Sequence, residues 1–189
     1  MRTRAKPSRP RSTTGAVEIA AWRLLSTPSG DFAIAVDVAG RLRTGWPSSD
    51  FALPKGREQS DLKPALAKAL TRYFDGKSVD FSDIELPDGT PFRRACWRLA
   101  REIPRGSTIS YAELAERAGS PGAARAAGQS MRHNPTPILV PCHRVIGADG
   151  ALHGFAGSCD SHDAALTLKG WLLALERETA PAPRGGPAR

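Results

Sequence analysis

Ser110-Tyr111-Ala112-Glu113-Leu114-Ala115-Glu116-Arg117-Ala118-Gly119, followed by Ser120-Pro121-Gly122-Ala123-Ala124-Arg125-Ala126-Ala127-Gly128-Gln129-Ser130-Met131, is the stretch on which the fold turns. Ser110 reads as the cap of a helix over Tyr111 to Ala118, and Gly119 breaks it. Ser120 and Pro121 are expected to open a further helix running to about Met131. Two short helices joined by a tight glycine-containing turn make a helix-turn-helix candidate. Many α-hairpins share that outline, so composition has to add something. The second helix is almost all Ala and Gly, and one face carries little side chain except Arg125. A backbone so bare can approach another surface closely, and a lone long cation in that field can enter a groove or replace a base. Tight packing on a neighbouring helix, with Arg125 merely solvated, is the competing reading.

Upstream, Thr90 caps a helix with Pro91 at its first position. Phe92, Cys96, Trp97, Leu99, Ala100 and Ile103 give it an apolar face, and Pro104 and Gly106 stop it. Leu62 to Phe74 has apolar residues at helical spacing, with Pro64 in the first turn and Gly76 at the end. Val17 to Leu25 and Asp31 to Val38 read as strands, with Leu42 to Trp46 a possible third. Downstream, Ile138-Leu139-Val140 reads as a short apolar strand. The expected fold class is α/β (α+β). A small N-terminal α/β domain with a short β-sheet (15–80) leads through a linker (81–88) to a mainly helical domain holding the helix-turn-helix (89–178). Residues 1–14 form a disordered basic arm in this reading, and 179–189 a flexible tail. The arm's composition also suits an organelle transit peptide.

The net charge is +8, but its distribution says more. Residues 1–14 hold five basic residues and no acid, while 15–90 hold 9 basic and 11 acidic. Residues 91–144 hold 9 basic and 3 acidic, and 145–178 hold 2 basic and 5 acidic. The folded part therefore has one basic segment, as phosphate binding would need. A solvated basic face would look the same. No run of apolar residues is long enough to span a membrane, and no secretory signal is evident. The three cysteines form no metal-ligand spacing and suit a reducing compartment. The chain is expected to be cytoplasmic.

Pro141-Cys142-His143-Arg144-Val145 is the chemical centre. Free cysteine has a pKa of about 8.5, so a neighbouring base raises the reactive fraction. Adjacent strand residues point to opposite faces, so Cys142 and His143 cooperate only if the chain bends or a water bridges them. Pro141 makes a bend plausible. A buried, inert cysteine beside a hydrogen-bonded histidine is the other reading of such a pair.

Val140-Pro141-Cys142-His143-Arg144-Val145, with Asn134-Pro135 upstream, resembles the active-site signature of the O6-alkylguanine-DNA alkyltransferases. Gly89-Thr90-Pro91-Phe92, Trp97, Ile103-Pro104-Arg105-Gly106 and Ser110-Tyr111-Ala112-Glu113-Leu114-Ala115 resemble further family segments in order. So do Ala123-Ala124-Arg125-Ala126-Ala127-Gly128, Gly147…Gly154-Phe155-Ala156-Gly157 and Trp171-Leu172-Leu173 with Glu176.

The resemblance implies direct-reversal repair. An alkyl group would pass irreversibly from O6 of guanine, and less well from O4 of thymine, to Cys142. His143 would act as base through a water and Glu176 would orient it. Asn134 would hold the turn around Cys142. Tyr111 would help rotate the nucleotide and donate a proton to the departing guanine. Arg125 would fill the hole left by the flipped base. Ala123, Ala124, Ala126, Ser110, Tyr111 and Arg132 would meet DNA, with the Ala/Gly helix in the minor groove, while Val140, Pro137, Phe155, Ala156 and Gly157 would line the pocket. The implied partner is duplex DNA carrying O6-alkylguanine. The protein would be a monomer, with cooperative binding along DNA left open, and would need neither cofactor nor metal.

Two departures stand out. Phe155 occupies a position where the family often has Tyr. The stretch Ser158-Cys159-Asp160-Ser161-His162-Asp163 is about four residues longer than usual. Rival readings fare worse. A methyl-sensing regulator would need an extra cysteine-rich domain. A damage-binding relative would lack the acceptor cysteine. A Cys-His hydrolase would need a hydrolysable acyl intermediate and further motifs.

Overall fold

The computed structural model describes residues 17–48, 51–155 and 162–180. The expectations for the basic arm, for Ala156 and Gly157, and for most of the extended loop lie outside those residues, as does residue 181 onward.

The N-terminal part is a three-stranded antiparallel sheet in the order β1-β2-β3, formed by β1 (Ile19–Thr27), β2 (Gly30–Asp37) and β3 (Leu42–Gly45). Thr27 pairs with Gly30 across the first hairpin. Gly30 has φ 97°, a left-handed value that glycine adopts without strain. Helix α1 (Pro64–Phe74) starts on Pro64 and covers one face of the sheet. Phe32, Trp46, Leu70, Tyr73 and Phe74 form the core between them. Phe32 meets Trp46 and Phe74 edge-on, with ring centroids 4.7 and 5.1 Å apart.

The C-terminal part is built on α2 (Pro91–Glu102), α3 (Tyr111–Arg117) and α4 (Ala124–Arg132), closed by α5 (His162–Thr179). Thr90 Oγ1 accepts from Arg93 N at 3.3 Å and Ser110 Oγ accepts from Glu113 N at 3.0 Å, so both expected caps are present. Trp97 is fully packed, and its indole N–H donates to Ser130 O at 2.9 Å, tying α2 to α4. Gly89 makes room for it. A Cβ there would lie 3.0 Å from the Trp97 ring. Two-residue strands β4 (Ile109–Ser110) and β5 (Val145–Ile146) pair in parallel, a contact the sequence reading did not contain.

Two local expectations fail. The second helix of the helix-turn-helix does not open at Ser120-Pro121 but at Ala124. Gly119 and Gly122 take φ of 76° and 83°, so the turn continues through Gly122, and Ala123 offers no side-chain cap. Ile138-Leu139-Val140 is not a strand either. Residues 137–140 form a tight turn in which Ile138 has φ 74°. A β-branched residue there is strained by roughly 1–3 kcal/mol, so the surroundings must hold it. The three residues are apolar because they are buried between two cores. Ile138 and Leu139 join that of the sheet, and Val140 that of the helices.

Candidate active site

Asn134 builds the loop that presents the thiol. Its Nδ2 donates to Val140 O at 2.8 Å and its Oδ1 accepts from Thr136 N at 3.0 Å. Val140 N closes the loop on Thr136 O at 3.0 Å. The N-terminal sheet buttresses it from outside. Thr44 N donates to Pro135 O at 3.1 Å, and Thr44 Oγ1 to Pro137 O at 2.8 Å. Arg101 Nε adds a bond to Leu139 O at 3.0 Å.

Beyond this loop Pro141 turns the chain into a single 3₁₀ turn, Cys142–Arg144. That is the bend the Cys-His pair required. Cys142 and His143 are both buried, at 2% and 0% exposure. His143 Nε2 lies 3.0 Å from Glu176 Oε1. With its proton directed at that carboxylate, Nε2 leaves Nδ1 as the lone-pair nitrogen. Nδ1 is buried and makes no hydrogen bond among the described residues. Burial lowers the histidine pKa and outweighs the pull of Glu176, which favours the neutral ring.

Glu176 is fully buried and heavily served by donors. Arg144 forks onto it, Nε to Oε2 and Nη2 to Oε1, both at 2.8 Å. Gly106 N reaches Oε2 at 3.3 Å. Burial opposes the charge, but His143 and Arg144 hold the carboxyl far below the usual carboxylate range. The Ile103-Pro104-Arg105-Gly106 segment thereby acquires a physical sense. Ile103 O accepts from Arg144 Nη1 at 2.6 Å, while Gly106, at φ 78°, brings its N–H to the carboxylate. A Cβ on Gly106 would lie 2.9 Å from Ala180 Cβ and 3.2 Å from Glu176 O.

Tyr111 and Lys169 lie close enough to Cys142 for its charge to act on both. Lys169 is completely buried, and its ammonium donates to Leu152 O at 2.5 Å, Val145 O at 2.8 Å and Tyr111 Oη at 3.3 Å. Burial brings its pKa down to about 8, against the attraction of the Cys142 sulfur. Burial also pushes Tyr111 up to about 12, with the Cys142 charge adding to the rise. The charge of a Cys142 thiolate would thus act on a buried cation and on a buried phenol.

Arg125, Ala126, Gln129 and Arg132 lie exposed along α4, with Ala123 and Ala124 half-buried at its start. Ser110, half-buried, uses its hydroxyl oxygen to cap α3. Pro137 and Val140 are buried, and Phe155 is half-buried against both cores. Of the nine arginines in the basic segment, Arg101 and Arg144 are spent on internal bonds, and Arg98 and Arg117 pair with Glu102 and Glu113. Arg94, Arg125 and Arg132 stay exposed.

A family model described as the DNA-binding domain of 6-O-methylguanine DNA methyltransferase matches residues 91–178. The methylated-DNA–protein-cysteine methyltransferase of Mycolicibacterium paratuberculosis is 46% identical over 141 residues, 74% of each chain. The chain belongs to this methyltransferase family. Its fold agrees with that of Mycobacterium tuberculosis OGT solved in complex with DNA: 34% identity, TM-score 0.67, 86% of this chain and 96% of that one. A structure of the O6-methylguanine methyltransferase of the same organism gives 32% identity and TM-score 0.67, over 86% and 96% of the two chains. The family's activity is alkyl-transfer DNA repair, with a protein cysteine as acceptor. Among the described residues no group of three or more His, Cys, Asp or Glu side chains is placed to hold a metal, and no helix is long and apolar enough to cross a membrane.

Sequence reasoning missed Lys169 and Tyr73. Lys169 had a visible signal. It falls with Leu172, Leu173 and Glu176 on one stripe of α5, where a lysine among leucines is out of pattern. Tyr73 had none, since an aromatic on the apolar face of α1 reads as core.

Proposed function

We propose that Cys142 is the alkyl acceptor and that His143, Glu176, Tyr111, Asn134 and Lys169 serve it. The observation that carries this reading is the buried, bare Nδ1 of neutral His143 next in chain to Cys142, with Nε2 tied to an ionised carboxylate. In the reaction the thiol proton passes to His143, directly or through a water. The sulfur attacks the alkyl carbon, a C–S bond forms and the C–O6 bond breaks. The electron pair stays on guanine, which takes a proton from Tyr111 as Lys169, hydrogen-bonded to the phenol, passes its own proton to Tyr111. A thioether has no easy hydrolysis route, so the protein acts once and no cofactor enters.

The alkyl carbon lies inside the duplex, so the nucleotide must leave the stack at a cost of a few kcal/mol. The bare face of α4, with Arg125 exposed on it, supports minor-groove binding and arginine insertion. Among the described residues the exposed large apolar side chains are Val17 and Val38, which favours a monomer. Cys96 and Cys142 as thiols suit a reducing compartment such as the cytoplasm.

Intact-mass spectrometry after mixing with an oligonucleotide bearing one O6-methylguanine tests the reading. A single gain of about 14 Da on Cys142, absent in Cys142→Ala, is expected. Binding without any mass gain would make the protein a lesion sensor instead.

A further inference from the structure

Glu176 is also reached from the distant half of the chain. Tyr73, near the C-terminal end of α1, is 2% exposed, and its hydroxyl donates to Glu176 Oε1 at 2.8 Å. The same hydroxyl lies 3.4 Å from His143 Nε2. Arg105 covers the ring from outside, its guanidinium 4.8 Å from the centroid. Tyr73 precedes the matched family domain, which begins at residue 91.

We propose that Tyr73 is a positioning residue of the transfer site, holding the Glu176 carboxylate so that His143 keeps Nδ1 bare and neutral toward Cys142. The proposal rests on the reading of His143 as base. Oε1 receives three donors, from Tyr73, His143 and Arg144, and Oε2 receives two, from Arg144 and Gly106. Arg144 fixes the plane of the carboxylate, and Tyr73 fixes the oxygen that faces the imidazole. Each donor also draws charge from that oxygen. Tyr73 therefore orients His143 while limiting how strongly Glu176 favours imidazolium. Burial first, and Glu176 next, keep the phenol far above its ordinary pKa, so it stays a donor.

The other groups around this centre are Arg105, Arg144 and Lys169, which are cationic, together with Tyr111 and the Cys142 thiol. Glu176 is the permanent anion among them. Removing the Tyr73 hydroxyl releases charge on Oε1, and the balance moves toward a protonated, inactive His143.

Tyr73→Phe keeps the ring and its packing on Phe74 and Phe81, centroids 5.4 and 6.4 Å away. Single-turnover transfer from an O6-methylguanine oligonucleotide is followed across pH beside a ¹⁵N NMR titration of His143. The loss is expected to be about tenfold near pH 6 and under about threefold near pH 9, with His143 titrating higher than in the parent. No loss, or the same loss at every pH with an unchanged His143 titration, makes Tyr73 a packing residue and overturns the proposal. A check needs no variant: the parent is expected to show a slowly exchanging Tyr73 hydroxyl proton with a cross-peak to the His143 ring, and its absence overturns the proposal too. If the parent transfers nothing to Cys142, the functional reading falls while the two NMR measurements still decide the role of Tyr73.

Discussion

The two buried charges of the site, Glu176 and Lys169, are held by opposite means. On the His143 side the charge is permanent. Glu176 is ionised, forked by Arg144 and served by donors from α1, the segment after α2 and the 3₁₀ turn. On the Tyr111 side the charge is conditional. Lys169 has two backbone carbonyls and a phenol for company and loses its proton at about pH 8. One helix, α5, supplies both charges seven residues apart, so two turns of one helix face carry the anchored charge and the conditional one. The difference teaches that His143 is held by a fixed charge, while the surroundings of Tyr111 are left adjustable.

Glu176→Gln should break the anchored side and give the largest effect. The amide would set a donor against Arg144 and leave a buried cation without its partner, destabilising by about 3–5 kcal/mol. Loss of a positioned base should slow transfer by about 10²–10⁴-fold. The sign with pH follows from a carboxyl depressed by folding. Its stabilisation is present above the ordinary value of 4.5 and is lost as pH falls toward the lower folded value. Urea unfolding from pH 3 to 7 should show that acid slope in the parent and little of it in the variant. A variant as stable and as fast as the parent would mean that the anchor is ornamental.

How much of this was legible depended on how far each residue's reason lies along the chain. Thr90, Ser110 and Gly119 act on neighbours three or four residues away, and their caps and stops read directly. The strands β1 and β2 did too, though not their pairing. Ile138 did not, because its left-handed backbone is imposed by Asn134, Thr44 and Arg101, two of them in other elements. A local run of Ile-Leu-Val can announce burial but not the shape of the chain that is buried. The basic segment was legible as charge, yet Arg101 and Arg144 turn inward and Arg98 and Arg117 are paired with glutamates. Tyr73 is 103 residues from its acceptor, and no periodicity carries that information.

Lys169→Met should sharpen the comparison by removing the conditional charge. Folding depresses this lysine's pKa from 10.5 to about 8. Between those values the unfolded chain holds a proton that the folded chain has released, so stability rises with pH across that window. Below about pH 8 both states are protonated and burial costs on the order of 3 kcal/mol. The Met variant is expected to lose the alkaline slope and to unfold at higher urea near pH 7. It should also transfer alkyl about tenfold more slowly, because Cys142 loses its cation and Tyr111 its neighbour. Equal stability at pH 7 and pH 10 in the parent would show that the ammonium is better solvated than its burial implies.

The smallest effect belongs to Ser110→Ala, which touches the adjustable side alone. Ser110 caps α3, and Tyr111 is the first residue of that helix. Removing the Oγ acceptor leaves Glu113 N without its bond and should cost about 1 kcal/mol. A looser first turn lets the Tyr111 ring wander from Lys169, so transfer should fall a few-fold while the His143 titration stays where it was. Ser110 is also expected to meet DNA, and binding affinity separates the two roles. A lost DNA contact weakens binding and leaves its salt dependence little changed, because the hydroxyl is neutral and releases no counterion. A lost cap slows the chemical step at unchanged affinity. If Ser110→Ala moved His143, the surroundings of Glu176 and Lys169 would be one coupled network, and α3 would have to be counted among the supports of the base.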